Sequence, residues 1–168
     1  MMVEALRTTT TDVTVFAVGT AQEEVGLKGA KTSAFGLDPD AALVSETSVA
    51  GDYPGLEPKH SNLALGKGPS ITVTDASGRG LIASPSVLRW LEDTAKKFNI
   101  LYQLDVSAGG TTDATVIQLT RTGIPSGVIS VPTRYLHSGV EVIDLRDVKA
   151  GGQLIARALE SVGSRFTV

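Results

Sequence analysis

Five short apolar, β-branched runs recur along the chain: Thr14-Val15-Phe16-Ala17-Val18, Ala41 to Ser45, Ser70 to Thr74, Ile100 to Val106 and Gly127-Val128-Ile129-Ser130-Val131. Most lack the polar alternation of a half-solvated strand, so the pattern predicts strands buried on both faces. Helical signals separate them. Leu27 to Phe35 reads as a helix stopped by Gly36. Ser84-Pro85 is an N-cap followed by proline at the first helical position, and Val87, Leu88, Leu91, Ala95 and Phe98 then recur at helical spacing. Thr111 to Thr122, ended by Gly123, and Asp147 to Val162 complete the set. Met2, Val3, Ala5 and Leu6 look like the end of an amphipathic helix with no capping residue before it, as though the chain begins within an element. Alternating strands and helices predict an α/β domain, with a mainly parallel sheet covered on both faces. Gly51 to Gly68, rich in Gly and Pro, reads as a loop.

A chain of 168 residues suits one such domain, because it buries roughly 70% of the surface exposed when unfolded. With aromatics at 5%, Val, Ile, Leu and Ala must fill the core. The formal charge of -3, spread without runs, gives no footprint for nucleic acid or an anionic membrane. The N-terminus has no secretory signal pattern, and no apolar stretch approaches the ~20 residues of a membrane span. These features lead to the expectation of a cytoplasmic protein. The absence of cysteine excludes disulfides and thiolate chemistry, so any metal site must use His, Asp or Glu.

Ligands of such folds bind beyond the carboxyl ends of the strands. The first run leads into Gln22-Glu23-Glu24, the second ends at Ser45-Glu46-Thr47, and the fifth passes through Arg134 and Tyr135 to His137. If those strands are parallel neighbours, Glu23, Glu24, Glu46 and His137 converge on one rim. Carboxylates with an imidazole suit Zn²⁺ or Co²⁺, and of two adjacent glutamates one can hold a metal while the other addresses its water. Each feature also has a plainer explanation. A Glu-Glu pair after a strand is commonly a solvated turn, and His60 in the Gly/Pro-rich loop reads as a surface histidine. Glu46 is less ordinary, since it follows an apolar run where a buried charge needs a partner. Gly109-Gly110-Thr111-Thr112-Asp113 reads either as a capped helix start or as a turn that approaches a ligand. Gly66-Lys67-Gly68 lacks the spacing of a phosphate-binding loop, Gly78-Arg79-Gly80 lacks the third glycine of a dinucleotide site, and no serine-hydrolase elbow is present.

Together, VGTAQEEVGLKGA (Val18 to Ala30), SETSVAGDYPG (Ser45 to Gly55), LGKGPSI (Leu65 to Ile71), GGTTDA (Gly109 to Ala114) and GIPSGVISVPTRYLHSGVEV (Gly123 to Val142) resemble the tetrahedral aminopeptidases and their glutamyl-aminopeptidase relatives. That family has also been labelled endoglucanase M. The resemblance implies a zinc-exopeptidase-like α/β/α fold with a mainly parallel mixed sheet, and two divalent ions, Zn²⁺ or Co²⁺. It implies an exopeptidase that removes N-terminal residues from peptides, usually as a homo-oligomer. By motif match Glu23 is the general base, Glu24 and His137 hold one metal and Glu46 the other. Gly109, Gly110, Thr111, Thr112, Asp113 and Arg134 would line the substrate pocket. Family chains are roughly twice as long, and their N-terminal half carries a further His ligand, a bridging Asp and a dimerisation insert. Residues 1–168 therefore read as one domain, the C-terminal part of the catalytic unit. Two other readings stand beside the aminopeptidase: a β-1,4-glucan hydrolase using Glu23 and Glu46 as its carboxyl pair, and an inactive fragment or paralogue that self-associates through apolar surface.

Overall fold

A computed structural model describes residues 1–57, 60–163 and 166. In chain order the elements are α1 (Met2–Thr8), α2 (Lys28–Leu37), β1 (Ala42–Val49), β2 (Ser70–Thr74), a 3₁₀ turn (Ala76–Gly78), α3 (Pro85–Lys97), β3 (Gln103–Val106), α4 (Ala114–Ile117), β4 (Ser126–Arg134), β5 (Val142–Ile143) and α5 (Leu145–Ser161). The sheet order is β1-β4-β2-β3, with the short β5 on the end of β4. β1 runs parallel to β4 along its whole length, from Ala42 opposite Ser126 to Val49 opposite Thr133. β2 and β3 are also parallel, whereas β2 meets β4 antiparallel at Ser70–Ser130 and Ile71–Ile129. The layered α/β architecture with a mixed sheet is the one expected.

β4 is buried from Ser126 to Thr133, as a two-sided apolar strand must be. Its alternate residues feed two cores. Ile129 joins Ala5 of α1, Val87, Trp90 and Leu91 of α3, and Leu154 and Ala158 of α5. Val128, facing the other way, packs with Leu81, Ala83 and Ala114 of α4. α3 starts where the sequence predicts: Ser84 Oγ accepts the Val87 N–H, and proline fills the first turn. α1 lies tightly against α5, because a Cβ at Gly151 would collide with the Met1 sulfur and one at Gly152 would come within 3.3 Å of the Met1 carbonyl.

Several sequence expectations need correction. Thr14 to Val18 is not in a strand: Phe16 is 57% exposed, and no described strand pairs with the segment. α2 continues past Gly36 to Leu37 and stops where Asp38 turns left-handed and donates its N–H to the Ala34 carbonyl. Ile100 does not begin β3; its N–H closes the end of α3 on the Ala95 carbonyl, after Asn99 at φ 53°. The helix expected over Thr111 to Thr122 shrinks to α4. Beyond Ile117 the chain makes tighter turns, and Leu119 points into solvent at 75% exposure, which leaves no apolar face to extend. Gly51 to Gly68 is the expected loop, although residues 58 and 59 fall outside those described.

The glycine-lysine turn of that loop has a structural role. Asp147, 1% exposed in the first turn of α5, accepts the N–H groups of Gly66 at 2.7 Å and Gly68 at 2.8 Å. This carboxylate fixes the entry into β2. Asp147→Ala leaves two inward-facing N–H groups without a partner and is expected to lower stability by about 3 kcal/mol. Urea unfolding checks it: a midpoint within experimental scatter of the parent would show that the clamp carries no stability.

Candidate functional site

The turn after Thr20 is built by its own backbone. Gly29 donates to the Ala21 carbonyl at 2.9 Å, and Gly26 and Leu27 both donate to the Glu23 carbonyl. A Cβ at Gly29 would lie 2.6 Å from the Ala21 oxygen, so only glycine lets the start of α2 fold back on this turn. Glu23 is thereby held half-buried and Glu24 exposed. The parallel ladder of β1 and β4 brings in the other two sequence-predicted residues. Glu46 sits four residues into β1, opposite Ser130. Beyond Arg134, Tyr135 at φ 60° and His137 at φ 63° turn the β4 exit, and the His137 N–H donates to Glu141 at 2.8 Å. His137 Nε2 then stands 3.4 Å from Glu24 Oε1.

Glu23, Glu24, Glu46 and Asp113 all line one cavity of about 790 Å³. Their electrostatics show the crowding. Burial raises the Glu23 pKa above the ordinary glutamate value, the carboxylates of Glu46, Glu24 and Asp113 raise it further, and His137 opposes them. Burial is also the largest cause of the raised Glu46 pKa; the Thr47 N–H, bound to Glu46 Oε1 at 3.0 Å, pulls the other way, while Asp113 and Glu24 add to the rise.

Asp113 is 6% exposed, and its Oδ2 accepts a 2.6 Å hydrogen bond from Thr20 Oγ1. This bond ties the Glu23 turn to the start of α4. Its Oδ1 is buried with no hydrogen-bond partner. Gly109 and Gly110 form an exposed loop, braced by the Ser107 hydroxyl on the Gly109 carbonyl; with Thr111 and Thr112 they stand outside the cavity lining. Arg134 is engaged by Asp52 in a two-pronged pair, Nε–Oδ1 at 2.9 Å and Nη2–Oδ2 at 2.7 Å. That pair holds the Asp52 carboxyl below its usual range. Asp52 also accepts the Leu65 N–H, and Tyr53 packs on Tyr135 at 4.7 Å between ring centroids. Asp52 and Tyr53 were not singled out in the sequence; a GDYPG run in a loop gives no hint that it will grip a strand exit 82 residues away. His60 is exposed.

Glu24 and His137 have the right chemistry for a divalent ion, a carboxylate oxygen beside an imidazole nitrogen. Among the described residues, however, no three His, Asp or Glu side chains stand close enough to hold one. A catalytic zinc generally takes three protein ligands, so these residues alone do not complete a metal site.

Removing one like charge tests the coupling. Asp113→Asn keeps an acceptor for Thr20 and is expected to lower the pKa of both Glu23 and Glu46, read by carboxyl ¹³C NMR titration. The sign for stability follows. A carboxyl whose folded pKa is raised favours the folded state below its unfolded pKa, and that contribution disappears as pH climbs through the folded value. The variant is therefore expected to lose less stability than the parent across the carboxylate range. Unchanged titration midpoints would show that Asp113 does not act on either glutamate.

The sequence and the fold are similar to those of known proteins. The sequence pattern of the M42 glutamyl aminopeptidase family matches residues 1–154. A putative aminopeptidase of Acetivibrio thermocellus is 43% identical over 89% of this chain and 44% of its own length. The structure of an aminopeptidase from the archaeon Desulfurococcus kamchatkensis superposes with a TM-score of 0.92 at 48% identity, over 95% of this chain and 45% of that one. The Pyrococcus horikoshii TET1 peptidase, which assembles into a tetrahedron or a large octahedral shell, gives a TM-score of 0.63 at 36% identity, over 84% of this chain and 39% of that one. The chain thus spans less than half the length of these relatives. Matched over nine-tenths of its residues, it belongs to the M42 glutamyl aminopeptidase family.

Proposed function

We propose that these residues serve a metal-dependent aminopeptidase that releases N-terminal residues from peptides, with Glu23 as general base. The observation that carries the reading is the convergence of Glu23, Glu24, Glu46 and Asp113 on one cavity, with His137 against Glu24. In this reading Glu24 and His137 ligate one divalent ion of the zinc or cobalt type and Glu46 another. The remaining ligands come from polypeptide outside residues 1–168, which form the C-terminal part of the catalytic unit. Bound there, such ions polarise the scissile carbonyl and make water a better nucleophile. The Glu23 carboxylate takes the proton of the attacking water as its oxygen bonds to the carbonyl carbon. It returns that proton to the leaving amine as the C–N bond breaks, yielding a free amino acid and a shortened peptide. A raised pKa makes Glu23 the stronger base for the first transfer and leaves it competent as the acid in the second.

β-glucan hydrolysis gives no role to the contact between Glu24 and His137, and no observation favours it. Relatives that form large shells support a homo-oligomer. No described helix is long and apolar enough to cross a membrane, which is compatible with the proposed cytoplasmic location.

The expected activity, with Zn²⁺ or Co²⁺ added, is hydrolysis of aminoacyl p-nitroanilides but not of their N-acetylated forms. Glu23→Gln is expected to lower kcat about 100-fold or more while leaving Zn²⁺ affinity by calorimetry within about twofold. Glu24→Gln or His137→Ala is expected to weaken Zn²⁺ binding about tenfold or more. Hydrolysis that survives a chelator, or acts equally on acetylated substrates, would overturn the reading; Zn²⁺ binding without hydrolysis would point to the inactive paralogue.

A further inference from the structure

The exit of β4 takes a shape that its own residues do not favour. The ladder with β1 ends at Thr133, whose carbonyl accepts the Ala50 N–H at 2.9 Å, and β5 reaches only as far as Arg134. Beyond that point Tyr135 at φ 60° and His137 at φ 63° are both left-handed, a conformation that side-chain-bearing residues keep only where their surroundings enforce it. Within the turn the Ser138 N–H reaches the Tyr135 carbonyl at 3.1 Å, and the exposed Glu141 carboxylate accepts the His137 N–H. Both contacts lie within residues 135–141, so neither ties the turn to another element. The His137 side chain is 70% exposed, so packing does little to orient it, and its direction is inherited from the backbone.

What holds that backbone is the segment after β1, where two consecutive residues meet two consecutive residues of the exit. The Asp52 carboxylate accepts Arg134 Nε at 2.9 Å and Nη2 at 2.7 Å, and the Tyr53 ring packs on the Tyr135 ring at 57°. A planar guanidinium held at two points is fixed in direction as well as distance, which a one-point lysine contact does not achieve. The gripping loop is itself anchored. A Cβ at Gly51 would collide with the Ser61 carbonyl oxygen, so only glycine lets the two chains pass, and the Gly51 N–H donates to the Leu63 carbonyl at 2.7 Å. Asp52 also accepts the Leu65 N–H at 3.0 Å, and the next residue, Gly66, is one that the buried Asp147 clamps. Through these bonds the turn is tied to the first residues of α5.

We propose that Asp52 and Tyr53 are positioning residues for His137: by gripping Arg134 and Tyr135 they hold the β4 exit in the left-handed turn that sets the imidazole 3.4 Å from Glu24. The consequence for metal affinity rests on the reading of His137 as a metal ligand, whereas the grip on the turn does not. Contacts behind a ligand tune affinity most where, as here, the ligand's own side chain is free to swing. The proposal also gives Arg134 a task other than the substrate contact that the family resemblance implies. Its guanidinium is turned to Asp52 and stands outside the lining of the cavity that Glu23, Glu24 and Glu46 share.

The test uses the 168-residue chain labelled with ¹⁵N, and none of its readouts depends on peptidase activity. Arg134→Lys keeps the charge and leaves Asp52 free to accept the Leu65 N–H; Asp52→Asn keeps an acceptor but loses the two-pronged pair; Tyr53→Ala removes the ring contact. Arg157→Lys, which alters the exposed pair with Glu160, is the control. Backbone order parameters at Tyr135, His137 and Ser138 are expected to fall from about 0.85 to below about 0.6 in the three test variants and to stay at the parent value in the control. Those of β4 up to Thr133 are expected to stay unchanged throughout. Zn²⁺ affinity by calorimetry is expected to weaken about tenfold in Arg134→Lys and Asp52→Asn. A turn that stays ordered in both of these variants would overturn the proposal, and so would loosening spread evenly along β4, which would make the pair a general brace. An ordered turn in Tyr53→Ala alone would remove Tyr53 from the grip. Zn²⁺ affinity that holds while the turn loosens would overturn the link to His137. A parent chain that binds no Zn²⁺ would instead defeat the reading of His137 as a ligand, and the order parameters would still decide the positioning.

Discussion

The parallel pairing of β1 with β4 is the constraint on which the rest of the molecule hangs. Eight register pairs bind the two strands, so the position of Glu46, midway along β1 and not at its end as the sequence suggests, is fixed relative to the turn that carries His137 beyond β4. A slip of one residue would send Glu46 to the opposite face and Val128 into the wrong core. The register is protected by burial, since Val128 and Ile129 occupy different clusters and neither can trade places without stranding apolar surface. Position of the site and integrity of the core are thus one problem with one solution.

The rim built on this ladder is crowded with like charge. Neighbouring carboxylates raise the proton affinity of Glu23 and Glu46, and His137 supplies the only opposing charge among the causes acting on the two. Hydrogen bonds manage part of that repulsion. Thr20 takes one oxygen of Asp113, and the Thr47 N–H takes one of Glu46. The arrangement stores unfavourable electrostatics where a cation would be most strongly attracted, a pattern common at functional sites.

Elements whose signal is local were legible in the sequence. β2 runs from Ser70 to Thr74 as the apolar run predicts, and α3 begins at the Ser84-Pro85 cap. The failures share a cause: a residue string specifies what a segment can do, while its neighbours decide whether it does so. Thr14 to Val18 has the composition of a buried strand and lacks adjacent strands to bury it. Thr111 to Thr122 has helix formers but an outward Leu119, so packing supplies no reason to extend the helix beyond Ile117. At the site, the burial of Glu46 was foreseeable from the apolar residues before it. The links from Thr20 to Asp113 and from Asp52 to Arg134 were not, because nothing in the spacing of either pair marks them as partners.

Those two links are far apart in sequence, 93 and 82 residues, yet this separation weakens them little. The entropy of closing a loop grows only with the logarithm of its length, so doubling the chain between two partners costs about 0.6 kcal/mol. The Asp52–Arg134 pair therefore works as a non-covalent staple that is nearly indifferent to what is threaded between its ends. Surface loops between β1 and β4 can lengthen or shorten while the β4 exit, and His137 with it, stays anchored to the same carboxylate.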